Sequence, residues 1–186
     1  MTVPNLSGSP KVSVIIPLYN KQQWIARAVN SVLSQTLSDF ELIIVDDGST
    51  DNGPDIVQDI GDPRIHLIRQ ENAGPGPARN RGIAEARGQF VAFLDADDEW
   101  LPKFLEKTTM ILAAHPDCEA CVVPRLMGPD RVSRAPVWRA IGMQEGPWQP
   151  DPCESAKRFV RQVQMLHTIS VCTRRSHLQK IGGFYG

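Results

Sequence analysis

Four carboxylates lie close together near the middle of this 186-residue chain, directly after an uncharged apolar run. The run is Phe90–Leu94, and the acids are Asp95, Asp97, Asp98 and Glu99. An apolar run of this length predicts a buried strand. Ligands of open α/β sheets bind at the carboxyl ends of the strands, so these acids occupy the place of a binding site.

Asp95 and Asp97 are the two acids whose spacing indicates a chemical role. They are two residues apart, so in an extended segment both side chains would leave the same face. Two carboxylates with room for water suit Mg²⁺ or Mn²⁺ that carries a phosphate-bearing substrate. The alternative is that Asp98 caps a helix beginning near Pro102 and that the other acids are solvated.

The composition is that of an ordinary globular protein, with 41% hydrophobic and 22% charged residues. A formal net charge of −1 provides no basic footprint, which argues against a nucleic-acid partner. No window has the apolar length of a membrane span, and the first ten residues do not have the pattern of a signal peptide. We therefore expect a cytoplasmic location, while peripheral association with a membrane stays open.

The first fifty residues have the pattern of a βαβ unit. Lys11–Ile16 is a β-branched run that predicts a strand ended by Pro17. Lys21–Gln35 has apolar residues at helical spacing, and Asn20 is a suitable cap. Glu41–Val45 predicts a second strand. A strand, a helix and a strand at this spacing indicate a parallel sheet.

The same alternation continues along the chain. Further strands are expected at Arg64–Arg69, Ala120–Val123 and Leu166–Thr173, and further helices at Asp55–Ile60, from the Gly76 region to Arg87, after Pro102, at Glu154–Val163 and at Arg174–Lys180. The segment Pro124–Pro152 is rich in proline and predicts irregular structure.

Polar and aromatic residues also follow the other strands. Asp46 and Asp47 end the second strand, and Tyr19 follows the first, where an aromatic ring can be plain core or the wall of a base-binding slot. The segment Gly74–Asn80 opens a helix whose amino end, with Arg79 and Arg81 nearby, favours anions. The alternative for both arginines is a solvated helix face.

Taken together, four motifs resemble those of the family 2 glycosyltransferases. They are Pro17-Leu18-Tyr19-Asn20, Asp46-Asp47-Gly48-Ser49-Thr50-Asp51, the Gly74–Asn80 segment and Asp95-Ala96-Asp97-Asp98, in the family's order and approximate spacing. The resemblance covers about Val12–Ala114. It implies an α/β fold of the GT-A type, with a Rossmann-like, mostly parallel central sheet flanked by helices.

The resemblance also implies a site. It assigns a nucleotide sugar to Pro17, Tyr19, Asp47, Gly74, Arg79, Asp95 and Ala96. Pro17 and Tyr19 would pack on the base, and Asp47 would accept a hydrogen bond from it, typically from uracil. Gly74 would let the backbone come close, and Arg79 would lie at the base and phosphates. Asp95 would lie near the ribose, and Asp97 would bind Mg²⁺ or Mn²⁺ with Asp95 beside it.

The reaction that the resemblance implies is metal-dependent transfer of a sugar from a nucleotide-diphosphate sugar, typically a UDP-sugar, to an acceptor hydroxyl in one inverting displacement. The acceptor would be a glycan, a lipid-linked molecule or another hydroxyl compound. A Rossmann dehydrogenase is a weak alternative, because no glycine-rich turn follows the first strand.

The catalytic base is the residue that the resemblance does not supply. In the family it follows a G-G-F segment such as Gly182-Gly183-Phe184, and only two residues follow Phe184 here. We therefore expect a disordered tail at residues 1–10, a nucleotide-sugar-binding half at 11–123, and at 124–186 the start of an acceptor-side half that ends before the base. The alternative function is a non-catalytic nucleotide-sugar-binding fragment or pseudoenzyme.

Overall fold

The structure is a computed structural model that describes residues 8–123, 126–127, 132–133 and 171–184. The strands are β1 (Val12–Leu18), β2 (Phe40–Asp47), β3 (Ile65–Gln70), β4 (Phe90–Phe93), β5 (Ala120–Val122), β6 (Leu126–Met127), β7 (Val132–Ser133) and β8 (Val171–Arg174). The helices are α1 (Ile25–Leu33), α2 (Gly53–Ile60), α3 (Pro75–Glu85), α4 (Phe104–Ala114) and α5 (Arg175–Ile181).

Six of these strands form one sheet in the order β3-β2-β1-β4-β8-β5. The pairs β3-β2, β2-β1 and β1-β4 are parallel, whereas β8 is antiparallel to both β4 and β5. The strands β6 and β7 form a separate antiparallel pair. The predicted α/β fold with a mostly parallel central sheet is therefore confirmed.

Helices cover both faces of the sheet because β1 and β2 are apolar on both sides. Val14 of β1 belongs to one core cluster with residues of α1, α2 and α4. Its neighbour Ile15 belongs to the opposite cluster, together with Ala78 of α3 and Leu178 of α5. Fully buried parallel strands of this kind need helices on each face.

Helix α3 packs directly on β1, and Gly82 makes this close packing possible. A Cβ atom at Gly82 would lie 2.5 Å from Ile15 Cγ2, which is too close for any larger residue without a shift. The backbone of α3 is therefore set directly on the central strand. Arg79, one turn earlier on α3, is held at a fixed distance from the sheet edge.

The first strand does not end at Pro17, as the sequence predicts, but continues to Leu18. Phe90 N donates to Lys11 O and Leu94 N to Ile15 O, so odd-numbered residues of β1 direct their backbone groups towards β4. The nitrogen of Pro17 faces the same side, beyond Phe93, which lies opposite Ile15 at the end of β4. Its missing N–H therefore costs no ladder bond with β4.

A buried carboxylate fixes the strands at the edge opposite their carboxyl ends. Glu41 of β2 accepts bonds from Ser13 Oγ (2.6 Å), Arg87 N (2.8 Å) and the Arg87 guanidinium (2.7 and 2.9 Å). Gly88 N, just before β4, donates to Ser13 Oγ at 2.8 Å. This network ties β2, β1 and the start of β4 in one register.

The same contacts set the protonation of Glu41. Burial raises its pKa, but the hydrogen bonds from Ser13 and Arg87 and the charge of Arg87 outweigh burial, so the pKa lies below its usual range. A carboxyl whose pKa is lower in the folded than in the unfolded state stabilises the fold above the unfolded value, and this contribution disappears as the pH falls through the folded value.

Some predicted elements lie outside the described residues. These are most of Pro124–Pro152, the helix at Glu154–Val163 and the first part of the strand at Leu166–Thr173. Within the described part of the chain, no helix is long and apolar enough to cross a bilayer.

We predict that Glu41→Gln lowers the free energy of unfolding by about 2–3 kcal/mol at pH 7, because it removes charge-assisted bonds from a buried carboxylate. The difference between wild type and variant should shrink as the pH falls below about 4.3, the ordinary pKa of a glutamate carboxyl, because the unfolded chain takes up a proton there and the folded carboxyl takes it up only at lower pH. Urea unfolding at several pH values measures both effects. Glu85→Gln is the control: Glu85 forms a half-exposed pair with Arg81, so the loss should be below about 0.5 kcal/mol. Equal decreases in the free energy of unfolding for the two variants would contradict the stabilising role of the Glu41 network.

Candidate functional site

A cleft of about 520 Å³ lies at the carboxyl ends of β1, β2 and β4. Its walls come from the loops that follow these strands and from the start of α3. The lining residues are Pro17, Leu18, Tyr19, Lys21, Asp47, Asn72, Gly74, Pro75, Arg79, Asp95, Ala96 and Asp97. The structure thus brings together every residue that the sequence analysis assigns to the nucleotide sugar or the metal.

The segment that carries the two central acids is a turn and not an extended strand. Strand β4 ends at Phe93, and Asp98 N donates to Asp95 O at 3.0 Å. The prediction that Asp95 and Asp97 leave one face of an extended segment is therefore wrong for this chain. Both residues nevertheless line the cleft.

Asp97 is held by two cationic side chains, one from the loop after β1 and one from α1. Lys21 Nζ lies 2.7 Å from Asp97 Oδ2, and Arg27 Nη2 donates to the backbone oxygen of Asp97 at 2.6 Å. The sequence pattern predicts Lys21 in a helix and gives no indication that it lies at the cleft. The structure begins α1 at Ile25, so Lys21 lies in the preceding loop and faces the cleft. Its position directly after the Pro17–Asn20 motif is the signal that could have identified it.

Asp95 is paired with Arg79, whose side chain is only 13% exposed. Arg79 Nη2 donates to Asp95 Oδ1 at 2.6 Å, whereas the buried Arg79 Nε has no hydrogen-bond partner among the residues that the structure describes. Arg81 behaves differently: it is half-exposed and pairs with Glu85 one turn along α3. Of the two arginines considered from the sequence, only Arg79 lines the cleft.

Asp47 organises the loop between β3 and α3. Its carboxylate is buried and accepts hydrogen bonds from Gln70 Nε2 (2.7 Å), Ala73 N (2.9 Å) and Gly74 N (2.8 Å). A carboxylate has about four acceptor positions, so three bonds leave room for one more donor. Asp47 therefore both holds the loop and borders the cleft.

Gly74 precedes α3 with φ +94° and ψ 169°. This backbone region is essentially restricted to glycine, and a Cβ atom there would meet open space. The glycine is therefore required by its own backbone conformation, which presents its N–H to Asp47.

The loop after β1 is tied to the loop after β2 by Asn20. Thr50 N donates to Asn20 Oδ1 at 2.8 Å, and Asn20 N donates to Ser49 Oγ at 3.1 Å. The prediction that Asn20 caps α1 is wrong, because that helix begins five residues later and Asn20 adopts φ +50°. Tyr19, held beside this joint, is 47% exposed. Its ring is therefore not part of the core, and it lines the cleft.

The donor set suits a divalent cation that also binds substrate phosphates. Within the described ranges, no group of three or more His, Cys, Asp or Glu residues could hold a metal ion without help. Mg²⁺ is commonly bound by one or two carboxylates together with phosphates and waters, and Asp95 and Asp97 supply that number. Each carboxylate has acceptor positions beyond the one used by its cationic partner. The residues present fit the implied metal in this mode.

We predict that Gly74→Ala lowers the free energy of unfolding by about 2–3 kcal/mol, because alanine is strained in this backbone region and the bond to Asp47 is disturbed. Gly61→Ala is a matched control at the end of α2, where φ +66° and ψ 17° are left-handed helical values that alanine tolerates at about 1 kcal/mol. Thermal or urea unfolding measures both. If Gly74→Ala lowers the free energy of unfolding no more than Gly61→Ala does, the backbone conformation of Gly74 does not require glycine.

Comparisons with solved structures agree with this architecture. S. aureus TarS 1-349, crystallised in complex with UDP-GlcNAc, superimposes with a TM-score of 0.70 at 23% identity, over 95% of this chain and 48% of that one. The mannosyltransferase PcManGT from Pyrobaculum calidifontis, in complex with GDP-Man and Mn²⁺, gives a TM-score of 0.68 at 21% identity, over 98% and 50% of the two chains. These likenesses show the fold.

Sequence comparisons show the family. An uncharacterized glycosyltransferase of Nostoc sp., alr2836, is 52% identical over 100 residues, which are 52% of this chain and 31% of the relative. The chain thus spans about a third of the curated relatives it matches first. The profile of the family described as "Glycosyl transferase family 2" matches residues 13–182. Because this match covers most of the chain, the chain belongs to glycosyltransferase family 2.

Proposed function

We propose that the cleft binds a nucleotide-diphosphate sugar, most simply a UDP-sugar, and that the chain supplies the donor-binding part of an enzyme that transfers the sugar to an acceptor hydroxyl. The observation that carries this proposal is the arrangement of two ion pairs, Arg79–Asp95 and Lys21–Asp97, beside each other in one cleft at the strand ends. Family membership and the UDP-GlcNAc complex of a similarly folded protein support it.

The charges of the cleft support a requirement for metal. Lys21 and Arg79 balance Asp95 and Asp97, and Asp47 leaves the lining with a net negative charge. A nucleotide diphosphate brings further negative charge and would be repelled by this lining. A divalent cation at Asp97 would reverse the sign, so we propose that Mg²⁺ or Mn²⁺ enters with the donor.

The remaining lining residues suit the other parts of the donor. Pro17 and the exposed ring of Tyr19 offer a flat wall for the base, and the spare acceptor position of Asp47 suits the N–H of uracil. The amino end of α3, which follows Gly74, favours the phosphates. Asp95 and Ala96 would lie along the ribose.

In the proposed reaction, the bond between the sugar and the diphosphate breaks as the acceptor hydroxyl attacks, and negative charge develops on the leaving diphosphate. Arg79 and Lys21 would stabilise that charge, and a bound Mg²⁺ or Mn²⁺ would add Lewis-acid stabilisation there. A carboxylate base must take the proton of the acceptor hydroxyl. No described residue is assigned to this step.

We propose that the displacement is single and inverting, as is usual in the family. We further propose a donor-binding part at residues 11–123 and an acceptor-side part at 124–186. The acceptor, whether a glycan, a lipid-linked molecule or another hydroxyl compound, would contact the second part, and peripheral membrane association would follow if it is lipid-linked.

We predict that the 186-residue chain binds UDP when Mn²⁺ is present and that Asp97→Asn weakens this binding roughly tenfold to a hundredfold, the effect of losing one charge-assisted contact. The variant should remain folded, because the Asp97 side chain is 43% exposed. Calorimetric titration with and without Mn²⁺, with GDP as the competing nucleotide, measures affinity and preference.

Asp55→Asn is the control, since Asp55 is an exposed acid on α2 that does not line the cleft. Equal affinities for wild type, Asp97→Asn and Asp55→Asn would refute the metal assignment, and no nucleotide binding under any condition would refute the function. A parallel assay of UDP-sugar turnover separates transfer from binding alone. Binding without turnover would favour the non-catalytic reading of this chain.

A further inference from the structure

Asn80, the residue after Arg79, holds a segment that lies 104 residues away in the sequence. Its Nδ2 donates to Phe184 O at 2.7 Å, and Phe184 N donates to its Oδ1 at 2.7 Å. One side-chain amide thus satisfies both backbone groups of a single residue, as a neighbouring strand would. Such a two-bond contact fixes the position and the orientation of Phe184.

The chain before Phe184 is shaped for this contact. Gly182 ends α5 with φ +79°, and Gly183 follows with φ +85°. A Cβ atom at Gly183 would lie 2.4 Å from Asn80 Oδ1, so only glycine lets the backbone approach the amide this closely. Two successive glycines with positive φ therefore allow Phe184 to reach Asn80 of α3.

The ring of Phe184 lies between the end of β4 and Arg79. It packs edge-to-face on Phe93, with ring centroids 5.1 Å apart, and the Arg79 guanidinium carbon is 5.7 Å from its centroid. Both distances suit favourable aromatic and cation–π contacts. Arg79 Nη2 also donates to Asp95 Oδ1 at 2.6 Å. The guanidinium therefore contacts both a ring and a carboxylate.

We propose that Asn80 is a positioning residue of the cleft. It holds the Phe184 ring against Arg79 and thereby keeps the guanidinium directed at Asp95, ready for the diphosphate or ribose of the donor. Neither Asn80 nor Phe184 is among the residues that line the cleft. The inference rests on the proposed function, to which it adds a pair of residues that act through Arg79.

The physical reason is the flexibility of arginine. A free arginine side chain samples many rotamers, and binding a ligand to it costs the conformational entropy that is lost when the side chain is ordered. An arginine that is already ordered binds more tightly at equal contacts. Loss of the Asn80–Phe184 contact should therefore weaken nucleotide binding roughly threefold to tenfold without removing any group that touches the nucleotide.

The test uses Asn80→Ala, Phe184→Leu and the double variant of the 186-residue chain, with Asn30→Ala as the control on the exposed face of α1. The NMR signal of Arg79 Nε–H, assigned with Arg79→Lys, reports the position of the guanidinium in the absence of nucleotide. In Asn80→Ala and in Phe184→Leu it should move towards the position of a mobile arginine and exchange faster with water. Affinity for UDP with Mn²⁺ should fall in both, and the double variant should be no weaker than the weaker single variant.

An unchanged Arg79 signal and unchanged UDP affinity in folded Asn80→Ala would overturn the inference. Multiplying losses in the double variant would overturn it too, because Asn80 would then act independently of Phe184. If Asn80→Ala fails to fold, the Arg79 signal and the UDP affinity of Phe184→Leu test the inference instead, and no change in either would overturn it. If wild type binds no UDP, the proposed function fails, and the Arg79 signal alone decides whether Asn80 positions the guanidinium.

Discussion

Charge compensation at the carboxyl ends of three adjacent parallel strands is the condition on which the cleft depends. Asp47, Asp95 and Asp97 border one space, and carboxylates so placed repel one another unless cations or N–H groups neutralise them. Arg79 pairs with Asp95, and Lys21 pairs with Asp97. The third carboxylate, Asp47, accepts hydrogen bonds from Gln70 and from two backbone N–H groups. The loop that carries Lys21 and the start of α3, which carries Arg79, are thereby held at the strand ends, where they form walls of the cleft.

The sheet makes this arrangement possible by keeping its strands in register. The Glu41 network joins β1, β2 and the start of β4 at the far edge, and the parallel pairing carries that register to the near edge, where Leu18 lies opposite Asp46. Gly82 sets α3 directly on β1, so that Arg79 reaches Asp95. A shift of one residue in any of these pairings would move an acid or a cation out of the cleft.

Much of this could be predicted from the sequence, because it follows from local patterns. Buried runs such as Phe90–Leu94 indicate parallel strands, and the shared edge of such strands brings Asp47 and Asp95 together. The rest depends on partners distant in sequence: Lys21 meets Asp97 across 76 residues, and Asn80 meets Phe184 across 104. Pro17 could not be assigned to β1 from the sequence, because that requires knowing where β4 ends. The turn at Asp95–Asp98 could not be predicted from the alternation of side chains along an extended strand.

If the proposed function is correct, the nucleotide diphosphate binds between the two ion pairs at the strand ends. A crystal structure of the chain grown with UDP and Mn²⁺ tests this most directly. We expect the diphosphate beside Arg79 and Lys21, the metal ion on Asp97, and the base against Tyr19. A nucleotide bound on any other surface, with the Lys21–Asp97 and Arg79–Asp95 pairs undisturbed and the cleft filled by solvent, would contradict it.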